Sequence, residues 1–523
     1  MERIHDSDYA EFSLIVLNED GKVRNKNDRR LHEKSPNVYR LFNMLDESIF
    51  IRGNNALESK NSQELLLGVP VMVVKPARKG LEDYFEARDI DEINKCELDV
   101  VINIGFESLQ GDILTVAKYG VWAYQFEGRP HGFWEVIESH PETKEYLLIL
   151  NEEPADHKII YKSASNTYLY SPARNRNRSL WKSSSFLPRQ LALLNHLGEQ
   201  NFLDETKKYR QNTRPQIQKK YERPPANLSS VSLYARLVIR NIREMFSRLF
   251  TMDTWFLMFD LGPYGSIPWK NFTQIIPPKD RFWADPIVIQ KDNRLFVFIE
   301  EFDSRAKKGH LSFLEVDQYR KHTIPVKILE ETYHLSYPFV FEWGDRYYMI
   351  PESASNRTID LYESVEFPHK WEHKMCLMEN LCAVDSTLLF YRGKWWLFTG
   401  ISENEGSFPE VELFLFFTDD LFTRDWKPHP LNPIVSDVKK ARPAGRIFSR
   451  NGKLFRPSQD CSKTYGFGFD INEILVLSET DYQEESAISV RPDWDKKISA
   501  THTYGTVGEF QIIDAYTMRK KFL

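Results

Sequence analysis

The 523-residue chain predicts two folds in succession, an α/β domain over residues 1–199 and an all-β, five-bladed β-propeller over residues 253–523. Three observations carry this. The second half repeats a strand, a tight turn and a second strand. The first half alternates apolar runs with helix-like segments, as α/β domains do. Between them, residues 200–252 turn polar and proline-rich before a basic amphipathic stretch.

The repeat is the strongest signal. WADPIVIQKDNRLFVFIEEFD (283–303), SYPFVFEWGDRYYMIPESAS (336–355), AVDSTLLFYRGKWWLFTGIS (383–402) and PAGRIFSRNGKLFRPSQDCS (443–462) share one pattern. Their turn residues Asn293, Gly344, Gly393 and Gly452 recur roughly 50 residues apart, the spacing of propeller blades. Asn and Gly also supply the positive φ that tight hairpins require. The segments 254–262 and 500–516 supply a fifth blade closed from both ends of the domain.

In the first half, the strand-like runs are FSLIVL (12–17), VPVMVV (69–74) and LDVVINI (98–104), with helix-like segments at 37–49 and 111–118. This alternation predicts a largely parallel, doubly wound sheet with ligands at the carboxyl ends of its strands. The joint follows. Residues 200–230, with Pro215, Pro224 and Pro225, read as a linker. In the next segment Leu233, Leu237, Ile242, Met245 and Leu249 recur at helical spacing among Arg236, Arg240, Arg243 and Arg248. A helix packing one domain on the other is the preferred reading. The other is a peripheral membrane contact through 231–250, lying on anionic lipid.

Composition narrows the partners. Hydrophobic residues make up 41% and charged residues 28%, ordinary globular values, whereas 14% aromatic suits strands and sugar-facing surfaces. A net charge of -6 without a basic stripe excludes nucleic acid as the expected partner. Cys96, Cys376, Cys382 and Cys461 lack metal-ligand spacing, so free thiols and no metal are expected. The chain shows neither an apolar leader nor a run of about 18 apolar residues, which predicts a cytoplasmic protein, peripheral to the inner membrane face on the lipid reading.

Two resemblances add to this. The stretch 99–138, with its block Pro130-His131-Gly132-Phe133-Trp134-Glu135-Val136-Ile137, resembles the folate-dependent N-formyltransferases over roughly residues 1–195. That family uses an Asn and a His two residues apart and a later Asp, since His moves a proton and Asn steadies an oxyanion. Those positions fall here on Ala123, Gln125 and Ala155, none of which can do that chemistry. The resemblance therefore implies a degenerate site. Of the nearby ionisable residues, Asp156, His157 and His131 are expected to be solvated loop residues. Residues 1–8 read as the end of a helix feeding straight into the strand at Phe12, so the first strand of the doubly wound sheet is expected to be missing, through a shortened N-terminus or a lost central element.

The second resemblance rests on FWADPIVI, VDSTLLFYRGKWWLF and HTY, which look like the five-bladed propellers of glycoside hydrolase family 43. The block also resembles the N-terminal region of plant glucosamine inositolphosphorylceramide transferases and of bacterial proteins that place a formyltransferase-like domain before such a propeller. It implies that acids at the starts of inner strands meet in a central funnel. Asp285 and Asp385 match two such positions as catalytic candidates, the competing reading being that they cap turns. The acid Glu expected in the fourth blade is replaced by Arg442 and Arg446, which suit a phosphate or carboxylate. Glu300, Glu301, Glu352, Asp460 and His502 are further candidates for binding substrate.

Three functions follow as expectations. The first is a carbohydrate-active protein of bacterial surface-glycan biosynthesis, glycosyltransferase-like, whose funnel binds a sugar phosphate, nucleotide sugar or glycan without a cofactor. The second is an amino-sugar N-formyltransferase using tetrahydrofolate as N10-formyl donor. The third is a non-catalytic glycan-binding scaffold.

Overall fold

The computed structural model describes residues 1–19, 36–58, 64–80, 82–207, 223–262, 268–404 and 406–521. They form two compact units, one of Met1–Arg240 with Asn404–Ser407 and one of Asn241–Glu403 with Phe408–Leu523. The boundary thus falls inside the expected 200–252 region, within a helix Asn227–Phe250. Residues 200–206 continue the helix Phe186–Thr206, which is interrupted at Gly198, and are not linker. Pro215 lies outside the described residues.

In the first unit the expected doubly wound sheet is replaced by three small sheets. Ile15–Asn18 pairs in parallel with Val71–Val74. Ala77–Lys79, Glu82–Tyr84 and Ser108–Gln110 form a second sheet. Val101–Asn103, Val121–Phe126, Glu142–Ile149 and Lys158–Asn166 form the third, in which only the first pair is parallel. The physical reason lies in burial. A parallel sheet needs both faces covered, yet Leu17, Val71 and Val73 of the first pair are exposed. The expected helix at 111–118 is one short 3-10 segment, Gly111–Thr115. The helix expected at 37–49 forms as Asn37–Phe50. Pro172–Ser183 begins where its residue types dictate, with Ser171 accepting a hydrogen bond from the Arg174 amide at 3.0 Å and Pro172 in the first turn.

The second unit is five four-stranded antiparallel sheets. The first runs Arg281–Lys291, Arg294–Asp303, Lys308–Val316, Val326–Leu329. The second runs Ser336–Trp343, Arg346–Glu352, Thr358–Glu366, Lys370–Glu379. The third runs Cys382–Tyr391, Lys394–Ser402, Leu413–Thr418, Lys427–Pro428. The fourth runs Phe448–Arg450, Lys453–Asp460, Gly468–Leu477, Tyr482–Val490. The fifth joins both ends of the unit, Thr251–Asp260 pairing with Phe510–Lys520 between the strands Thr273–Ile275 and Tyr504–Val507.

Local chemistry sets the hairpins. Each of the four turns flagged in the repeat has two consecutive residues at positive φ: Asp292 and Asn293, Gly344 and Asp345, Arg392 and Gly393, Asn451 and Gly452. That is the two-residue turn whose twist matches paired strands. Apolar side chains then join each sheet to the next. Phe296 and Phe298 pack with Val340 and Met349, and Phe339 and Ile350 with Leu388 and Leu397. Trp396 and Leu415 pack with Ile474 and Tyr482, and Phe469 and Ile471 with Met258 and Ile513. Leu257 and Phe259 pack with Val297 and Ile299, returning the fifth sheet to the first. The sheets therefore form a ring.

Candidate functional site

Three inner strands carry the same irregularity. The ladder skips between Ala284 and Ile287, between Ser336 and Phe339, and between Val384 and Thr387. Two residues there oppose one, a β-bulge, which re-aims a side chain off the regular face. The first bulged residue is Asp285, Tyr337 or Asp385, with φ of 53, 42 and 50°. Asp tolerates the left-handed region, whereas Tyr does so only when its surroundings fix it. Tyr337 is fixed at three points. Its amide donates to Asp285 Oδ2 at 3.2 Å, its hydroxyl meets Thr387 Oγ1 at 2.8 Å, and it accepts from the Gly445 amide at 2.8 Å.

Around Asp385, Arg442 donates from Nε to Oδ2 at 2.6 Å and from Nη2 to Oδ1 at 3.2 Å, and Gln459 Nε2 donates to Oδ2 at 2.8 Å. The same Nη2 reaches Glu352 Oε2 at 3.2 Å. Around Asp285, Thr503 Oγ1 donates at 3.1 Å and His502 Nε2 stands 3.3 Å away. The other ring nitrogen of His502 is 2.7 Å from Asp514 Oδ2. Asp514 in turn accepts from the amides of His502, Thr503 and Asp285. Both halves meet under one aromatic ring. Tyr465 lies 5.0 Å from the Arg442 guanidinium and 5.3 Å from the His502 ring.

Electrostatics follow from burial. Glu300, opposite Ala284 in the ladder, and Glu352 have carboxyls pushed well above the ordinary range, first by burial and then by neighbouring Asp285 and Asp385 respectively. Both are therefore held toward their protonated forms. Burial also raises Asp285 to about 6, against the pull of His502. For His502 burial favours the neutral ring, but Asp514 and Asp285 outweigh it and raise its pKa. The Tyr465 hydroxyl is pushed well above its usual value, first by burial, although 47% of the residue is exposed.

Asp285, Asp385, Glu352, Arg442 and His502 are thus brought together, with Glu300 beside them. Three other candidates have different partners. Glu301 pairs with Arg281 at 2.7 Å, Ser312 at 2.7 Å and His310 at 3.3 Å, and although burial opposes it, these contacts hold its carboxyl down at about 2. Asp460 pairs with Arg491 at 2.9 Å. Arg446 donates to the Val340 carbonyl and lies 5.0 Å from the Phe339 ring, with burial lowering its pKa to about 10. The two arginines expected to receive an anion are therefore committed, Arg442 to protein carboxylates and Arg446 to a backbone carbonyl.

Sequence reasoning missed Tyr337, Gln459, Tyr465, Thr503 and Asp514. One signal was available: SYP stands in the repeat where ADP and VDS stand. His502, Asp285 and Asp514 offer ligand atoms within 4.8 Å of one another, a possible metal-binding geometry, yet the histidine already bridges the two carboxylates. In the first unit, Ala123 and Gln125 lie on the strand Val121–Phe126 opposite Leu148 and Tyr146, and Ala155 falls in the turn Pro154–Asp156. His131 is not a solvated loop residue. It meets Ser179 Oγ at 2.8 Å, and burial drives its pKa down to about 3.

Residues 273–505, the stretch that carries all of this cluster except Asp514, match the family described as glucosamine inositolphosphorylceramide transferase 1, N-terminal. Among individual proteins, glucosamine inositolphosphorylceramide transferase 1 of Oryza sativa subsp. japonica is 34% identical over 206 residues, covering 39% of this chain and 27% of that protein. The Arabidopsis thaliana protein of the same name is 33% identical over 207 residues with the same coverage. The chain thus spans about a quarter of the length of these relatives. Among solved structures, the catalytic domain of the Coprinopsis cinerea GH62 alpha-L-arabinofuranosidase is similar at 10% identity and a TM-score of 0.35, covering 47% of this chain and 95% of that one. A GH43 protein of Bacillus licheniformis is similar at 14% identity and a TM-score of 0.32, covering 41% and 47%.

Proposed function

We propose that the five-sheet ring is a five-bladed propeller whose central acid cluster handles the terminal sugar of a glycan, in a carbohydrate-related protein of glycan assembly. The observation that carries this is the pairing of Glu352 with Asp385. A carboxyl held toward its protonated form and an arginine-paired carboxylate each lie 3.2 Å from Arg442 Nη2. Their facing oxygens are therefore no more than roughly 6 Å apart, and the two side chains hydrogen-bond each other, so they form one coupled acid pair of the two-carboxyl kind that glycosyl chemistry employs. Glu352 is the proton donor and Asp385 the facing carboxylate. Tyr465 offers a half-exposed ring on which a sugar face can stack.

With Glu300 and Glu352 held toward their protonated forms, the cluster sets the carboxylates of Asp285, Asp385 and Asp514 against the guanidinium of Arg442 and the imidazole of His502. A phosphate entering there would meet excess acid, so the group recognised is the sugar itself, through hydroxyls or an amino group. The family match over 273–505 supports a hexosamine.

Calorimetry with glucosamine, glucose and a nucleotide-linked glucosamine tests this reading. Expected is binding of the free sugar, no gain from the nucleotide, and at least a tenfold weakening in Asp385→Asn. Absence of binding by any of the three, or wild-type affinity in Asp385→Asn, refutes it.

A further inference from the structure

We infer that the helix Asn227–Phe250 is a lipid-surface anchor that seats this protein on the anionic face of a bilayer. Its 24 residues divide cleanly by face. Ser230, Tyr234 and Leu237 are buried, and the Tyr234 ring stacks on Phe42 at 4.1 Å. The other side carries Val231, Val238, Ile239, Ile242, Met245, Phe246, Leu249 and Phe250, all between 45% and 57% exposed. From Val238 onward these positions recur three or four residues apart, with Val231 two turns before them, so they form one apolar stripe along the helix. Such a stripe facing water is the reverse of what a soluble helix presents.

Charge decides the occupant. Arg236 and Arg243 flank one edge of the stripe and Arg248 the other, and all three are exposed. The helix has one acid, Glu244, which pairs with Arg248 at 3.2 Å. A second copy of the helix would bring arginines against arginines, whereas lipid phosphates complement them. No helix among the described residues is long and apolar enough to cross a membrane. This one therefore lies in the interface plane with its apolar side chains among the acyl chains.

The test is co-sedimentation of the full chain with vesicles of phosphatidylcholine containing about 30 mol% phosphatidylserine, against phosphatidylcholine alone. Expected is binding to the mixed vesicles that falls with added salt and is weak on the neutral ones. Arg236→Ala with Arg243→Ala should weaken it about 25-fold, about fivefold for each charge, and Ile242→Asp should release the protein by tenfold or more. Circular dichroism checks that the variants are folded. Phe246→Trp supplies a readout that needs no disruptive variant, since brominated acyl chains should quench its emission. Equal binding to both vesicles, binding untouched by Ile242→Asp, or an unquenched tryptophan overturns the inference. So does light scattering that finds a dimer which Ile242→Asp converts to a monomer, because the stripe would then be covered by a second copy.

Discussion

Replacing Arg442 by Met tests whether the centre of the ring is an electrostatic unit. The guanidinium is 9% exposed and makes two bonds to Asp385 and one to Glu352. Methionine keeps most of the volume but leaves the buried Asp385 carboxylate without its paired cation, beside Gln459 and Glu352. Breaking a buried pair by removing one partner costs about 3–5 kcal/mol, because the remaining charge is uncompensated. In a unit of this size each kcal/mol moves the melting temperature by about 2–4 °C, so a fall of about 10 °C is expected at pH 7. Adding Asp385→Asn removes the stranded charge and should restore about half of the loss, so a double-mutant cycle should show a coupling of at least about 2 kcal/mol. Calorimetric melting of the four proteins measures it. A loss below about 1 kcal/mol for Arg442→Met, or strictly additive effects, would refute the reasoning.

Three other outcomes are expected. The folded-state pKa of Glu300 and of Glu352 is raised, so each holds a proton that the unfolded chain has released, and the stability this gives is lost as pH rises through the folded value. Glu300→Gln should therefore leave the melting temperature unchanged below about pH 4, where both states hold the proton, and flatten the decline that sets in as pH rises above the ordinary carboxyl range, as thermal scans across pH will show. Tyr465→Ala should weaken sugar binding about fivefold, the worth of one stacked ring, without lowering the melting temperature, since nearly half of the side chain is already in water. Arg456→Met should destabilise by about 3–5 kcal/mol in urea titrations, because buried Arg456 donates twice to Glu484, at 2.8 and 2.7 Å.

How far the site was legible depends on the range of the interactions involved. The hairpins could be read because a period of two and a pair of positive-φ turn residues are local properties of the chain. Asp285 and Asp385 could be read because they recur in the same register. Tyr337 shares that register, but a tyrosine carries no charge to draw attention to it. The pair Glu300 and Glu301 could not be separated, since neighbours on a strand point to opposite faces and only the bulged ladder decides which one joins the cluster. Asp514 was illegible for another reason. It faces His502 and Thr503 across the closing hairpin of Tyr504–Val507 with Phe510–Lys520, and nothing in the residues beside it shows that an acid there turns toward the cluster.

The same distinction separates what the amino-acid order determined from what folding decided. The order determined the repeating hairpins and the helices Asn37–Phe50 and Asn227–Phe250, because backbone propensity needs no distant partner. Tertiary structure decided that the first unit makes three small sheets rather than one, because each strand pairs only where its faces can be covered. It decided too that Arg442 would pair with Asp385 and Glu352 instead of waiting for an anion, because a buried charge takes the opposite charge that packing sets beside it.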